Sequence, residues 1–212
     1  HGMIRFANTA VMNLENAIRG ARNPKNSWAR MDSHTRADGT FVLGPHDRDL
    51  ARRLCRAGSD HRKFLRQIFV CVDITAPLYW WKEFDTYKIG TAANSTSTMH
   101  KLHARPITEA DFSTDHLNPL ARRTLDAYVQ VLEQLRLQYV QQHDQQAWYS
   151  LIQLLPSSYE QTRTCTMNYE TVFRMHQARR AHKLAEWHDF CRWAQTLACW
   201  ADFFAPDDQA TP

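Results

Sequence analysis

No run of apolar residues in this 212-residue chain approaches the length of about 20 that a membrane span requires. A membrane-crossing helix is therefore excluded. Blocks of Lys or Arg are also missing, and the net charge is only +4. A small anionic substrate suits that balance at least as well as a nucleic acid, and no nucleic-acid partner is expected. The five cysteines, Cys55, Cys71, Cys165, Cys191 and Cys199, form no CxxC, and their number is odd. None follows a proline or precedes a histidine. A disulfide framework and an activated thiol nucleophile both lack a sequence basis, and reduced, mostly buried thiols in a cytoplasmic protein are expected. There is no internal repeat, no splitting linker and no recognisable leader peptide. His1-Gly2 ahead of Met3 reads as a tag remnant, which leaves residues 3–212 as one expected domain.

What is present is a globular composition, 43% hydrophobic and 23% charged. Val11 to Arg22 reads as a short helix stopped by Asn23-Pro24, and residues 23–44 as a polar loop. Pro45 opens a helix that should turn Leu50 and Leu54 inward and end at Gly58. Ile68, Val70, Val72 and Ile74 alternate as in a strand. A long helical stripe runs through Leu120, Tyr128, Val131, Leu132, Leu135 and Tyr139, with a second helix from Trp148 to Leu155. Thr162 to Met167 reads as a short strand, and Asn168 as the N-cap of a helix toward Arg180. A last helix from His182 to Phe204 carries Trp187, Phe190, Trp193, Trp200, Phe203 and Phe204, a run suited to core or interface. The sum is an α+β domain, mostly helical with a small sheet.

The richest stretch chemically runs from Pro77 to Ser97. Trp80, Trp81, Tyr79 and Tyr87 accompany Lys82, Lys88, Glu83 and Asp85, ahead of a loop of Ser, Thr and Asn that Gly90 releases. Aromatic faces can stack a planar ring, lysines supply positive charge, and small hydroxyl residues with backbone N–H groups hold anions. An amphipathic helix followed by a polar turn is the plainer alternative. His100-x-x-His103 has metal-binding spacing but lacks a carboxylate or Cys partner, so no metal site is expected.

Three segments, in order, resemble the flavin-dependent thymidylate synthases. Gly58-Ser59-Asp60-His61-Arg62-Lys63-Phe64-Leu65-Arg66 is similar to that family's His-x-Ser/Thr-Pro-Phe-Glu-His element. Ala76-Pro77 through Ser97 is similar to its Arg-Gln-x-x-Arg-His-Arg and Asn-Glu-x-Ser-x-Arg-Tyr signature. There Lys82 and Glu83 fall on Arg-Gln, Thr86, Tyr87 and Lys88 on Arg-His-Arg, and Asn94 and Ser97 on the later Asn and Ser. Asn168 through Arg179-Arg180 to Trp187 is similar to its C-terminal helix pair. Met99 and Ile152 stand where or near where the family has arginine, so the flavin half of the signature is better kept than the nucleotide half.

The resemblance implies the fold of that family, a homotetramer with FAD at subunit contacts, and transfer of a methylene carbon from methylenetetrahydrofolate to C5 of a uracil nucleotide. Reduced flavin then supplies the hydride, with NADPH as the expected reductant. It assigns His61, Lys63, Lys88, Asn94, Asn168 and Arg174 to the cofactor. Lys82, Glu83, Ser95, Ser97, Arg179 and Arg180 go to the substrate, and Arg179 is the expected catalytic arginine, with Arg180 as the alternative register. The divergence of the nucleotide half resembles the UMP methylase of polyoxin-type nucleoside antibiotic pathways. UMP is the expected substrate, with dUMP as a second. The alternatives are an ordinary dUMP-specific synthase, or a catalytically inactive relative that binds nucleotides or nucleic acid through Trp80, Trp81 and arginines.

Overall fold

The computed structural model describes residues 4–205, so the tag reading of His1-Gly2 lies outside the described residues. Helix and sheet are mixed. Strands β1 (Arg5–Met12), β4 (Phe69–Pro77), β6 (Glu160–Asn168) and β5 (Ala92–Ser95) form one sheet in the order β1-β4-β6-β5. The chain clusters into two compact units. Of the described residues, one unit comprises residues 8–72, 87–92 and 165–205, the other residues 4–7, 73–86 and 93–164.

In the first unit, α1 spans Leu14–Ala21 and buries Leu14, Ala17 and Ile18. The helix expected from Val11 therefore begins later, because Val11 and Met12 belong to β1. Asn13, with φ of 71°, turns the chain between the two elements, and such left-handed geometry stops a helix from extending backward. β1 escaped notice because most of its side chains are exposed and carry no apolar alternation. The expected loop at 23–44 contains a small antiparallel hairpin, β2 (His34–Thr35) with β3 (Phe41–Val42). Helix α2 (Pro45–Arg56) starts at its proline as expected, but its buried face is Asp47, Ala51 and Cys55, with Leu50 and Leu54 only half-buried. Arg22 explains the inversion. Its Nε donates to Asp47 Oδ1 at 2.6 Å, and the backbone N–H groups of Asp32 and Ser33 donate to Oδ2 at 3.0 and 2.9 Å.

The C-terminal part of this unit holds α6 (Tyr169–Arg179), α7 (Ala185–Gln195) and α8 (Trp200–Phe204). Asn168 is the N-cap of α6, its side chain accepting from Thr171 N at 2.9 Å. The single helix expected from His182 to Phe204 is broken. The Thr196 hydroxyl donates to the Trp193 carbonyl at 2.7 Å, and Cys199 adopts φ of 60°. Tyr169 Oη donates to the Ala198 carbonyl at 2.7 Å, which pins the turn. The break lets Trp200 and Phe203 fold back into the same core as Tyr169.

In the second unit, α3 (Leu78–Phe84) follows β4, and its Trp80, Trp81 and Phe84 are fully buried. Trp81 Nε1 donates to the Gln161 carbonyl at 3.0 Å. Helices α4 (Pro119–Gln142) and α5 (Gln145–Gln153) enclose a core of Leu102, Ile107, Phe112, Leu125, Leu132 and Leu151. The stripe on α4 keeps Leu132 buried and Tyr128, Leu135 and Tyr139 half-buried, as expected, and departs from the expected one elsewhere. Leu125, Leu132 and Arg136 are buried, whereas Leu120 and Val131 are exposed. Arg136 is held by Glu133 in a two-pronged pair, which makes its burial tolerable. β5 occupies part of the expected Ser/Thr/Asn loop; Thr96, just beyond it, donates its N–H to the Thr162 carbonyl at 2.9 Å, and Gln161 Nε2 donates to the Thr96 carbonyl at 2.8 Å.

Candidate functional site

Helix α6 gathers most of the cofactor candidates. The Arg62 guanidinium forms a fork with Glu170, Nε to Oε2 at 2.8 Å and Nη2 to Oε1 at 3.1 Å, and lies 4.9 Å from the centre of the Phe173 ring. That anchors the segment bearing His61 and Lys63, both exposed, along one side of α6. On another side, Thr171 Oγ1 donates to the Ile89 carbonyl at 3.1 Å. Gly90, with φ of 72°, sits so close to Asn168 that a Cβ there would lie 2.4 Å from its Nδ2. Lys88, exposed, is carried by that second segment. At about 100° per residue, Arg174 falls in angle between Glu170 and Thr171, one turn on. It is exposed on the strip that the two segments flank. His61, Lys63, Lys88, Asn168 and Arg174 are thus associated with one helix. An imidazole, two ammonium groups and a guanidinium form a donor set suited to an anionic, pyrophosphate-bearing group such as FAD.

Arg179 and Arg180 differ sharply. Arg180 is exposed at the C-terminus of α6. Arg179 is half-buried, its Nε donating to Tyr87 Oη at 2.9 Å. Its guanidinium lies 4.9 Å from the Trp187 ring centre and 5.5 Å from that of Tyr87. The two aromatic rings are 6.2 Å apart. Nearby on α6, burial and then the charge of Arg180 hold the His176 imidazole below its ordinary pKa.

The nucleotide candidates Lys82, Glu83, Ser95 and Ser97, and the cofactor candidate Asn94, belong to the other unit. Lys82 is exposed and Glu83 half-buried on α3. Asn94 and Ser95 are exposed on β5. Ser97 Oγ accepts from the His100 N–H at 2.9 Å and shares a 3.0 Å hydrogen bond with His100 Nδ1, closing a local turn. That bond explains the His100 spacing without a metal, and among the described residues no group of three or more His, Cys, Asp or Glu could hold one.

Two expectations are corrected here. Trp80 and Trp81 are core residues and offer no face to a planar ring; packing Trp81 against Phe84, 5.1 Å apart, uses the surface that stacking would need. The face of Trp81 is also covered by Arg163, whose guanidinium lies 4.2 Å from the ring centre and pairs with Asp85 at 2.6 Å. The same burial removes the stacking platform on which a nucleic-acid-binding alternative relied. The residues that sequence reasoning missed are Arg62 and the pair Tyr87 and Trp187. Nothing local separates Arg62 from Lys63. Only Glu170, far along the chain, decides which cation is fixed and which remains exposed.

None of the five cysteines forms a disulfide. Burial raises the Cys55 thiol to about 12, and the Cys191 and Cys199 thiols to about 11. These are poor nucleophiles at neutral pH. No helix of the described residues is long and apolar enough to cross a membrane.

No protein-family model and no curated protein matches this sequence. Solved structures do. A crystal structure of the flavin dependent thymidylate synthase ThyX from Helicobacter pylori, complexed with FAD and dUMP, aligns with a TM-score of 0.71 over 94% of this chain and 96% of that one, at 18% identity. A second structure of Helicobacter pylori ThyX with FAD and dUMP aligns with a TM-score of 0.68 over the same shares, at 17% identity. The mixed helix-and-sheet fold of this chain is therefore the fold seen in those structures.

Proposed function

We propose that this chain is a flavin-dependent C5-methylase of a uracil mononucleotide. The observation that carries the proposal is the likeness of fold, along nearly the whole chain, to enzymes solved with FAD and dUMP. The cations associated with α6 add to it. In this reading His61, Lys63, Lys88, Asn94, Asn168 and Arg174 hold FAD, which when reduced supplies the hydride. Lys82, Glu83, Ser95 and Ser97 hold the nucleotide, with Arg180 near it. Arg179 faces the pyrimidine carbonyl edge, where a guanidinium would stabilise the negative charge of the polarised, enolate-like uracil from which C5 attacks the methylene carbon. Its enclosed position favours it over exposed Arg180 for that role. Methylenetetrahydrofolate donates the carbon, NADPH reduces the flavin, and the chain works as a homotetramer in the cytoplasm.

UMP is the proposed substrate and dUMP a second, because Met99 and Ile152 replace cations of the nucleotide half. The experiment is direct. The purified protein, reconstituted with FAD, is assayed for 5-methylation of UMP and dUMP side by side, with methylenetetrahydrofolate and NADPH. Methylation of UMP at the higher rate is the expected result. Preference for dUMP would reassign the sugar, and a colourless protein that takes up no FAD and methylates neither nucleotide would overturn the proposal.

A further inference from the structure

Arg179 is held by an arrangement that no motif specifies. An arginine side chain has several rotatable bonds, and fixing it in one geometry is entropically unfavourable. Here the hydrogen bond from Nε to Tyr87 Oη, 2.9 Å long, fixes the inner edge of the guanidinium. The Trp187 and Tyr87 rings, 4.9 and 5.5 Å away, pack against it from adjacent sides. Trp187 is itself fully buried, with its ring against Phe190 at 5.5 Å and His182 at 6.4 Å, so the wall it forms is rigid. His188 Nε2, bonded at 2.9 Å to the His182 carbonyl, supports the same turn. Tyr87 is in turn carried by the segment that Thr171 and Asn168 clasp through Ile89 and Gly90. A phenol is a neutral acceptor, and it orients a guanidinium without cancelling its charge.

We propose that Tyr87 and Trp187 are positioning residues that pre-orient Arg179 for the uracil nucleotide. The proposal rests on the nucleotide reading above and names the residues that make its arginine rigid. Pre-orientation stabilises a bound or transition state because the ordering has been completed before the ligand arrives. Loss of one hydrogen bond of this kind should weaken nucleotide binding about tenfold.

Two measurements on FAD-reconstituted protein test it. The first follows the arginine Nε–H signals in ¹⁵N–¹H spectra. A slowly exchanging signal that Arg179→Lys removes should be present in the wild type and lose its protection in Tyr87→Phe. The second is a double-mutant cycle on equilibrium binding of UMP and dUMP. Tyr87→Phe alone should weaken binding about tenfold with flavin content unchanged, yet add nothing when Arg179 is already Ala. Circular dichroism and the melting temperature check that each variant is folded. A protected Nε–H signal that survives in Tyr87→Phe, or additive losses in the cycle, would overturn the positioning role. A wild type that binds neither nucleotide would overturn the functional reading, and the exchange measurement would still decide whether Tyr87 orients Arg179.

Discussion

At the residue scale, Arg22 and Asp47 set the tone. Asp47 is fully buried and Arg22 nearly so, at 0% and 4% exposure, with a closest approach of 2.5 Å. Removing one partner strands the other charge away from water, which destabilises by about 3–5 kcal/mol. Asp47→Ala should therefore lower the urea midpoint steeply, whereas Asp47→Ala with Arg22→Met should recover much of the loss. A double variant no more stable than the single one would mean that the backbone N–H groups of Asp32 and Ser33, and not the ion pair, are what Asp47 serves. His176 adds a pH dependence of its own. Its folded pKa lies below the ordinary 6.5, through burial first and Arg180 second. The unfolded chain thus takes up the proton more readily. The contribution is complete above the unfolded value and is lost as pH falls through 6.5 toward the folded value. His176→Gln should flatten the fall in melting temperature between pH 7.5 and 5.5; an unchanged slope would assign it to other groups. The cysteines make a third case. Five single Cys→Ser variants should each retain methylation when folded, because raised thiol pKa values at Cys55, Cys191 and Cys199 leave no thiolate to attack.

At the element scale, α6 does most of the organising. Its N-cap, Asn168, was legible in the sequence because Asn before a β-branched and charged run is a common helix start. What the sequence does not carry is the second use of that side chain, as the floor on which Gly90 rests. Asn168→Ala should cost about 1 kcal/mol as a lost cap. Gly90→Ala should cost about 1–2 kcal/mol for its left-handed backbone and more for the 2.4 Å approach to Asn168 Nδ2. The two effects should be less than additive, since removing the Asn168 side chain makes room for the new methyl group. Full additivity in thermal unfolding would show that the clasp is not made through these atoms. Helix α8 teaches the converse. Trp187 to Phe204 carries aromatics on either side of residues 194–199, and the Thr196 hydroxyl on the Trp193 carbonyl, the left-handed Cys199 and the Tyr169 hydroxyl on the Ala198 carbonyl together turn the chain there.

At the scale of the whole molecule, His61, Lys88 and Arg174 are exposed side chains whose segments adjoin α6 or, for Arg174, whose side chain rises from it. Their joint assignment to FAD predicts that Ala at each lowers flavin occupancy of the purified protein, and that Lys82→Ala does not. Equal occupancy in all four variants would remove the cofactor assignment. Trp80 and Trp81, sealed in the core, should show no fluorescence response to oligonucleotides, and a saturable, salt-dependent quench would revive the nucleic-acid alternative.

The sequence by itself determined the mixture of helix and strand, the strand through Val70 to Ile74, the helix start at Pro45 and the cap at Asn168, and a resemblance whose fold the solved structures bear out. Those features depend on local periodicity and on single residues with strong backbone preferences, both of which are written in short windows. Only the tertiary structure decided that Asp47 faces inward, that Trp80 and Trp81 belong to the core, that Arg62 is pinned while Lys63 is exposed, and that Arg179 packs against Tyr87 and Trp187. Each of those outcomes turns on a partner at least 25 residues away, or on which face of a helix meets the rest of the core. A side chain's burial and charge state follow from the groups that surround it in space, and a local window does not contain them.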